Sequence, residues 1–171
     1  MSRDAQFTPA QMTQAHMVRF ERPLPASREK VWEVLTNTAR LPGWYGDGAI
    51  DGQVGGTVSL MAGHIKGTVT QWVPLTRLAY TWNVLMPGQT VSDFPQSYLT
   101  LELDDAKLVL THLPVLEAFV KLNAAGWHTF LDMVEAAARG DTVESREAYM
   151  KRSAALYGVE LPGPRASRPA S

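Results

Sequence analysis

The chain has 171 residues, of which 45% are hydrophobic and 19% charged, with a formal net charge of -1 and no cysteine. That length suits one domain with a real core, and so balanced a charge sets up no field that would draw nucleic acid or an anionic membrane. The missing cysteines exclude disulfides, thiolate metal sites and a cysteine nucleophile, and no apolar run is long enough to insert across a bilayer.

Residues 1–15 are polar and aperiodic, without the apolar core of a secretory signal, and predict a flexible end on a soluble, cytoplasmic protein. Residues 17–24 alternate, with Val18 and Phe20 set between Arg19 and Glu21, and predict a strand closed by Pro23 and Pro25. Ser27 suits the N-cap of a helix running to Thr36, with Val31, Val34 and Leu35 as its buried stripe and Trp32 at the edge. A second short helix is expected over 38–41, stopped by Pro42-Gly43. The glycine-rich segment 46–56 lacks the lysine and Ser/Thr of a P-loop and leads into a strand, so it reads as a turn and not a phosphate cradle.

The period then becomes two. Strands are predicted over 57–61, 67–73, 77–84, 97–103 and 107–113, with Leu78, Tyr80 and Trp82 on one face and Leu99, Leu101 and Leu103 alternating with Tyr98, Thr100 and Glu102. Short loops between successive strands imply an antiparallel meander with one wetted face.

Residues 114–140 hold the one long helical pattern, from Leu116 and Phe119 through Trp127, Phe130, Leu131 and Val134. Pro114 is expected just before its start and Gly140 just past its end, giving a rod of about 35 Å. Gly126 interrupts it at a cost of about 1 kcal/mol against alanine, which points to close packing on the bare backbone or to a bend. Beyond it, 144–157 predicts a short amphipathic helix using Tyr149, Met150 and Leu156, and 162–171 is Pro/Ser/Arg-rich and expected to be disordered. The organisation expected is therefore a flexible 1–15, a domain over 16–140 and an extension over 141–171, in the α+β class.

The strings Phe20-Glu21-Arg22, Pro25 to Trp32, Leu41-Pro42-Gly43-Trp44-Tyr45, Val54-Gly55-Gly56, Gly67-Thr68-Val69, Arg77 to Trp82, Thr111-His112 and Gly126-Trp127-His128 occur in this order over residues 17–140. The series resembles the SRPBCC (START-like, Bet v 1-like) superfamily, in its branch related to the C-terminal domain of activators of Hsp90 ATPase. The resemblance implies a helix-grip: a curved antiparallel sheet wrapped around a long C-terminal helix, two short helices after the first strand, and a cavity between sheet and helix. A single helix covers only part of a broad sheet, which agrees. The cavity-lining candidates are Trp44, Tyr45, Thr68, Tyr80, Trp82, Ser97, Leu99, Leu101, His112, Trp127, Phe130 and Leu131. The aromatics among them could line such a space or plug it.

None of the four histidines, His16, His64, His112 and His128, pairs at ligand spacing, so no metal and no cofactor is expected. His112 shares strand parity with Leu108 and Leu110 and should point inward, where with Tyr80, Thr68 or Ser97 it could anchor a ligand; a structural histidine is the plainer reading. Asp104-Asp105 reads as a turn, and Glu135 as an ion-pair partner of Arg139. No Gly-x-Ser-x-Gly elbow or buried acid/base couple is present.

The expected function is binding of a hydrophobic or amphipathic small molecule. The alternatives are an interaction protein that modulates an Hsp90-type ATPase and a cavity enzyme (a cyclase, dehydratase or hydrolase) working through His112 or Tyr80. Against a direct Hsp90 role stands the absence of the N-terminal domain that eukaryotic activators add. A homodimer is left open.

Overall fold

The computed structural model describes residues 9–12 and 14–162; the expectations for 1–8, 13 and 163–171 lie outside it. Seven strands form one antiparallel sheet: β1 (His16–Pro23), β2 (Ala49–Ile50), β3 (Thr57–Leu60), β4 (Ile65–Val73), β5 (Arg77–Val84), β6 (Ser97–Leu103) and β7 (Lys107–Val115). Their order is β1-β7-β6-β5-β4-β3-β2, a meander from β2 to β7 closed at one edge by the first strand. α1 (Arg28–Thr36) follows β1; α2 (Val120–Arg139) and α3 (Arg146–Tyr157) follow the sheet. The sheet curves around α2, the helix-grip arrangement that the resemblance implied. No helix among the described residues is long and apolar enough to cross a membrane.

Local chemistry sets these limits. The Ser27 hydroxyl accepts the Lys30 N–H at 3.3 Å and starts α1, whose Val31, Trp32, Val34 and Leu35 are buried. The expected helix over 38–41 is instead a 3-10 turn at Leu41–Gly43, because Pro42 occupies a first-turn position where no N–H is needed. Its Trp44 indole donates to the Val34 carbonyl at 2.8 Å and fastens the turn to α1. The glycine-rich segment turns as expected but also contains the two-residue β2, too short to show a period.

The largest correction is the start of the long helix. Pro114 ends no loop before a helix; it lies in β7, and α2 begins at Val120 after a 3-10 turn at Glu117–Phe119. The β6 pairing of β7 ends at Leu113, and the β1 pairing shifts register between His16 and Val18, so a residue without an N–H breaks no ladder there. Leu116, Phe119 and Leu122 have helical spacing but are all partly exposed. Gly140 takes the left-handed conformation, φ 77°, and caps α2 as predicted.

α3 lies against α2, started by the Ser145 hydroxyl on the Ala148 N–H. Tyr149, Ser153 and Ala154 are its buried residues, whereas Leu156, expected to be buried, faces solvent. Arg22 of β1 reaches Asp132 and Glu135 of α2, and Glu135 also pairs with Arg139 at 2.7 Å, so the predicted helical ion pair belongs to a wider network joining sheet to helix.

Candidate functional site

The middle of the space between the sheet and α2 is filled by aromatic side chains. Trp44 stacks on Tyr45 with ring centroids 4.0 Å apart, Tyr45 meets Phe130 at 4.9 Å, and Trp127 meets Trp82 at 5.1 Å. With Tyr80 these rings form a plug, and all but Trp82 are almost wholly buried. The Tyr45 and Tyr80 hydroxyls share one hydrogen bond at 3.1 Å. Burial pushes both phenols up from their ordinary values, so they stay neutral.

The free space lies beyond the plug, past Trp82. An open cleft of about 480 Å³ is bounded by the β5 end (Trp82, Val84), the following loop (Met86, Phe94, Pro95), the β6 start and β7 (Ser97, His112, Pro114) and the segment into α2 (Leu116, Phe119, Leu122, Asn123). A smaller compartment of about 200 Å³ adjoins it beside Met61, Gly126, Trp127 and Phe130, and the two share His64, Trp82, Val84 and Asn123. Phe94 and Phe119 meet edge to face at 5.8 Å across the mouth.

The candidates read from the sequence therefore separate. Trp82, Ser97 and His112 line the larger space, and Trp82, Trp127 and Phe130 the smaller. Trp44, Tyr45, Tyr80, Leu99 and Leu101 are packed core away from both. Leu131 faces the opposite end, beside Arg22 and Pro25. Thr68 is a correction: it is exposed, because Val69 takes the inward parity of β4, and its N–H is held by the Thr81 hydroxyl at 2.9 Å. Gly126 is another, since a Cβ built on it meets nothing within 4 Å; it leaves room beside the smaller compartment where close packing was expected.

His112 is 2% exposed and has three side-chain partners. The Trp127 indole, which can only donate, lies 2.9 Å from Nδ1, and the Asn123 amide nitrogen lies 3.2 Å from the same atom. Nδ1 therefore accepts, the proton is on Nε2, and that N–H donates to Ser97 Oγ at 2.7 Å. Ser97 in turn faces the Trp82 carbonyl at 3.4 Å. The pair has the composition of a Ser–His nucleophile but the opposite polarity: His112 gives Ser97 a proton bond and has no lone pair free to take one. Burial pushes His112 down to about 4. His128 lies elsewhere, with Nδ1 3.0 Å from the Tyr157 hydroxyl of α3 and Nε2 3.6 Å from Asp132. No group of three His, Cys, Asp or Glu residues among the described ones could hold a metal ion.

The family model for activator of Hsp90 ATPase homolog 1-like proteins matches residues 25–139. The chain belongs to this family. Its fold recurs in a Bordetella parapertussis protein, BPP1335, at 24% identity and TM-score 0.64, over 90% of each chain. CalU16 from Micromonospora echinospora is 22% identical with a TM-score of 0.63, over 84% of this chain and 89% of its own. An Hsp90 activator from Plasmodium falciparum, PFC0360w, is 20% identical with a TM-score of 0.58, over 70% of this chain and 94% of its own. Among curated proteins no match is found. The family match ends at Arg139; α3, with its Arg146 guanidinium 5.0 Å from the Phe130 ring, lies beyond the matched residues.

Sequence reasoning missed His64, Met86, Phe94, Leu116, Phe119 and Leu122 as part of this site. One signal was there. Met86, Phe94 and Pro95 are bulky apolar residues in a turn-rich connection that would ordinarily be polar.

Proposed function

We propose that this protein of the activator of Hsp90 ATPase homolog 1-like family is a small-molecule binding module that takes an apolar or amphipathic ligand in the open cleft beside Trp82. The observation that carries the reading is the lining itself. It includes no lysine, arginine, aspartate or glutamate among the described residues, its volume of about 480 Å³ suits a small ligand, and Met86, Phe94, Leu116, Phe119 and Leu122 stand partly exposed around it. The aromatic plug serves as a rigid floor.

Nile red, an uncharged fluorescent probe, tests this. Binding should enhance its emission, and at a hundredfold excess over Kd should add about 2.7 kcal/mol of stability, raising Tm by roughly 5–10 °C. Leu122→Asp, which sets a charge on the apolar lining of the cleft, should weaken binding at least tenfold. No binding by the unaltered protein up to the probe's solubility limit, or unchanged binding by the variant, would contradict the reading.

A second reading, modulation of an Hsp90-type ATPase, draws on the family and on the same exposed rim, which could meet a protein surface instead. Co-precipitation with the host's Hsp90 and stimulation of its ATPase would favour it; neither effect would remove it. An enzyme working through His112 or Tyr80 draws no support from the hydrogen bonds those side chains make.

A further inference from the structure

The cleft's polar groups say more than its size does. Five side chains bring nitrogen or oxygen to the larger space: His64, Trp82, Ser97, His112 and Asn123. Ser97 and His112 are committed to each other and to Trp127 and the Trp82 carbonyl. Asn123 turns its amide nitrogen to His112 Nδ1; the reverse orientation would set oxygen against a nitrogen lone pair. Its Oδ1 is left buried and without a partner.

His64 completes the set. Its Nδ1 lies 2.8 Å from the Leu85 carbonyl, which can only accept, so Nδ1 carries a proton and the neutral ring has its lone pair on Nε2. Nε2 has no hydrogen-bond partner among the described residues and is not a buried atom. The ring is clamped, because the Leu85 N–H also donates to the His64 carbonyl at 2.8 Å. The turn that delivers it is strained: Met61 and Ala62 both take left-handed φ, 52° and 54°, held by the Ala62 N–H on the Asp47 carbonyl at 2.8 Å. Two acceptors of the cleft, His64 Nε2 and Asn123 Oδ1, are therefore left for a ligand's donor; the Trp82 indole beside them can only donate, and no lysine, arginine, aspartate or glutamate lines the space to meet an ion.

We infer that the cleft selects uncharged aromatic hydroxyl compounds, phenols in the broad sense, by accepting the ligand O–H at His64 Nε2. This deepens the small-molecule reading and rests on it. A carboxylate would set its charge against those two lone pairs with no lysine or arginine in the lining to meet it, and an ammonium group would find no counter-charge.

The test compares four naphthalenes by tryptophan-fluorescence titration at neutral pH: 2-naphthol, naphthalene, 2-naphthoate and 2-naphthylmethylamine. In the unaltered protein 2-naphthol should bind about five- to tenfold more tightly than naphthalene, as one neutral hydrogen bond allows, and both ions more weakly than naphthol. His64→Phe should erase the hydroxyl preference while naphthalene affinity stays within about twofold, and His64→Gln, which offers an amide oxygen, should restore part of it. Far-UV circular dichroism and melting check that both variants fold; the unaltered protein's own preference needs neither. Naphthalene binding without a hydroxyl preference would overturn this inference and leave the cleft reading standing. So would a preference that survives His64→Phe, or tighter binding of either ion. No binding of any of the four would overturn both.

Discussion

Two N–H groups, from the Trp127 indole at 2.9 Å and the Asn123 amide at 3.2 Å, point at one nitrogen of His112, so a further proton on that nitrogen would meet protons. The unfolded chain has no such obstacle. The sign of the pH effect follows. With the folded value near 4 and the ordinary value at 6.5, the unfolded state binds the proton first as pH falls, so stability is full above about 6.5 and is lost between there and about 4. The loss is on the order of 3 kcal/mol. His128, pushed down by burial, adds to it in the same direction below its ordinary value. Glu21, held down by the Lys107 ammonium, and Asp104, by the Ala106 and Lys107 backbone N–H groups, act only at lower pH, below their ordinary values of 4.5 and 3.8. Urea unfolding at pH 7.5 and pH 5 should therefore show a fall in stability that His112→Gln reduces. An equal fall in the variant would mean that His112 is not held neutral by the fold.

At the scale of the element, two glycines predict opposite outcomes for one substitution. A Cβ on Gly126, in the middle of α2, meets no atom within 4 Å, so Gly126→Ala should stabilise by about 1 kcal/mol through helix propensity alone. A Cβ on Gly67 of β4 would lie 1.8 Å from the Thr81 carbonyl oxygen of β5, so Gly67→Ala should destabilise by about 2–3 kcal/mol or more as the strands are forced apart. Thermal melts of the two variants read both signs; the same sign for both would contradict the packing described. The strands themselves were legible because alternation has one meaning: β5 and β6 begin and end where the pattern does. The start of α2 was not, because spacing does not say what a residue packs against. Leu116, Phe119 and Leu122 recur like a buried stripe yet form the cleft rim, and Pro114 serves as well at a strand's unpaired end as before a helix. Leu156 misled for the same reason, since small Ser153 and Ala154, and not the large apolar residue, make the close contact of α3.

For the whole molecule, the sequence pattern carried the fold class and the inward direction of His112, and the resemblance supplied the connectivity. The position of the free space needed coordinates. Composition shows that many aromatics exist, not whether they interlock; here Trp44, Tyr45, Tyr80, Trp127 and Phe130 fill the grip and displace the space outward to side chains from strands and loops far apart in the sequence. His64 could not be singled out, because its role depends on the Leu85 carbonyl 21 residues away. A plugged grip with an open, apolar, charge-free cleft beside it is the central claim, and amide NMR with Nile red reads it most directly. The account predicts shift changes gathered at His64, Trp82, Val84, Phe94, Phe119 and Asn123, with Leu99 and Leu101 under the plug little moved. Changes centred on the plug, or spread over α1 and the outer face of the sheet with the cleft residues still, would contradict it.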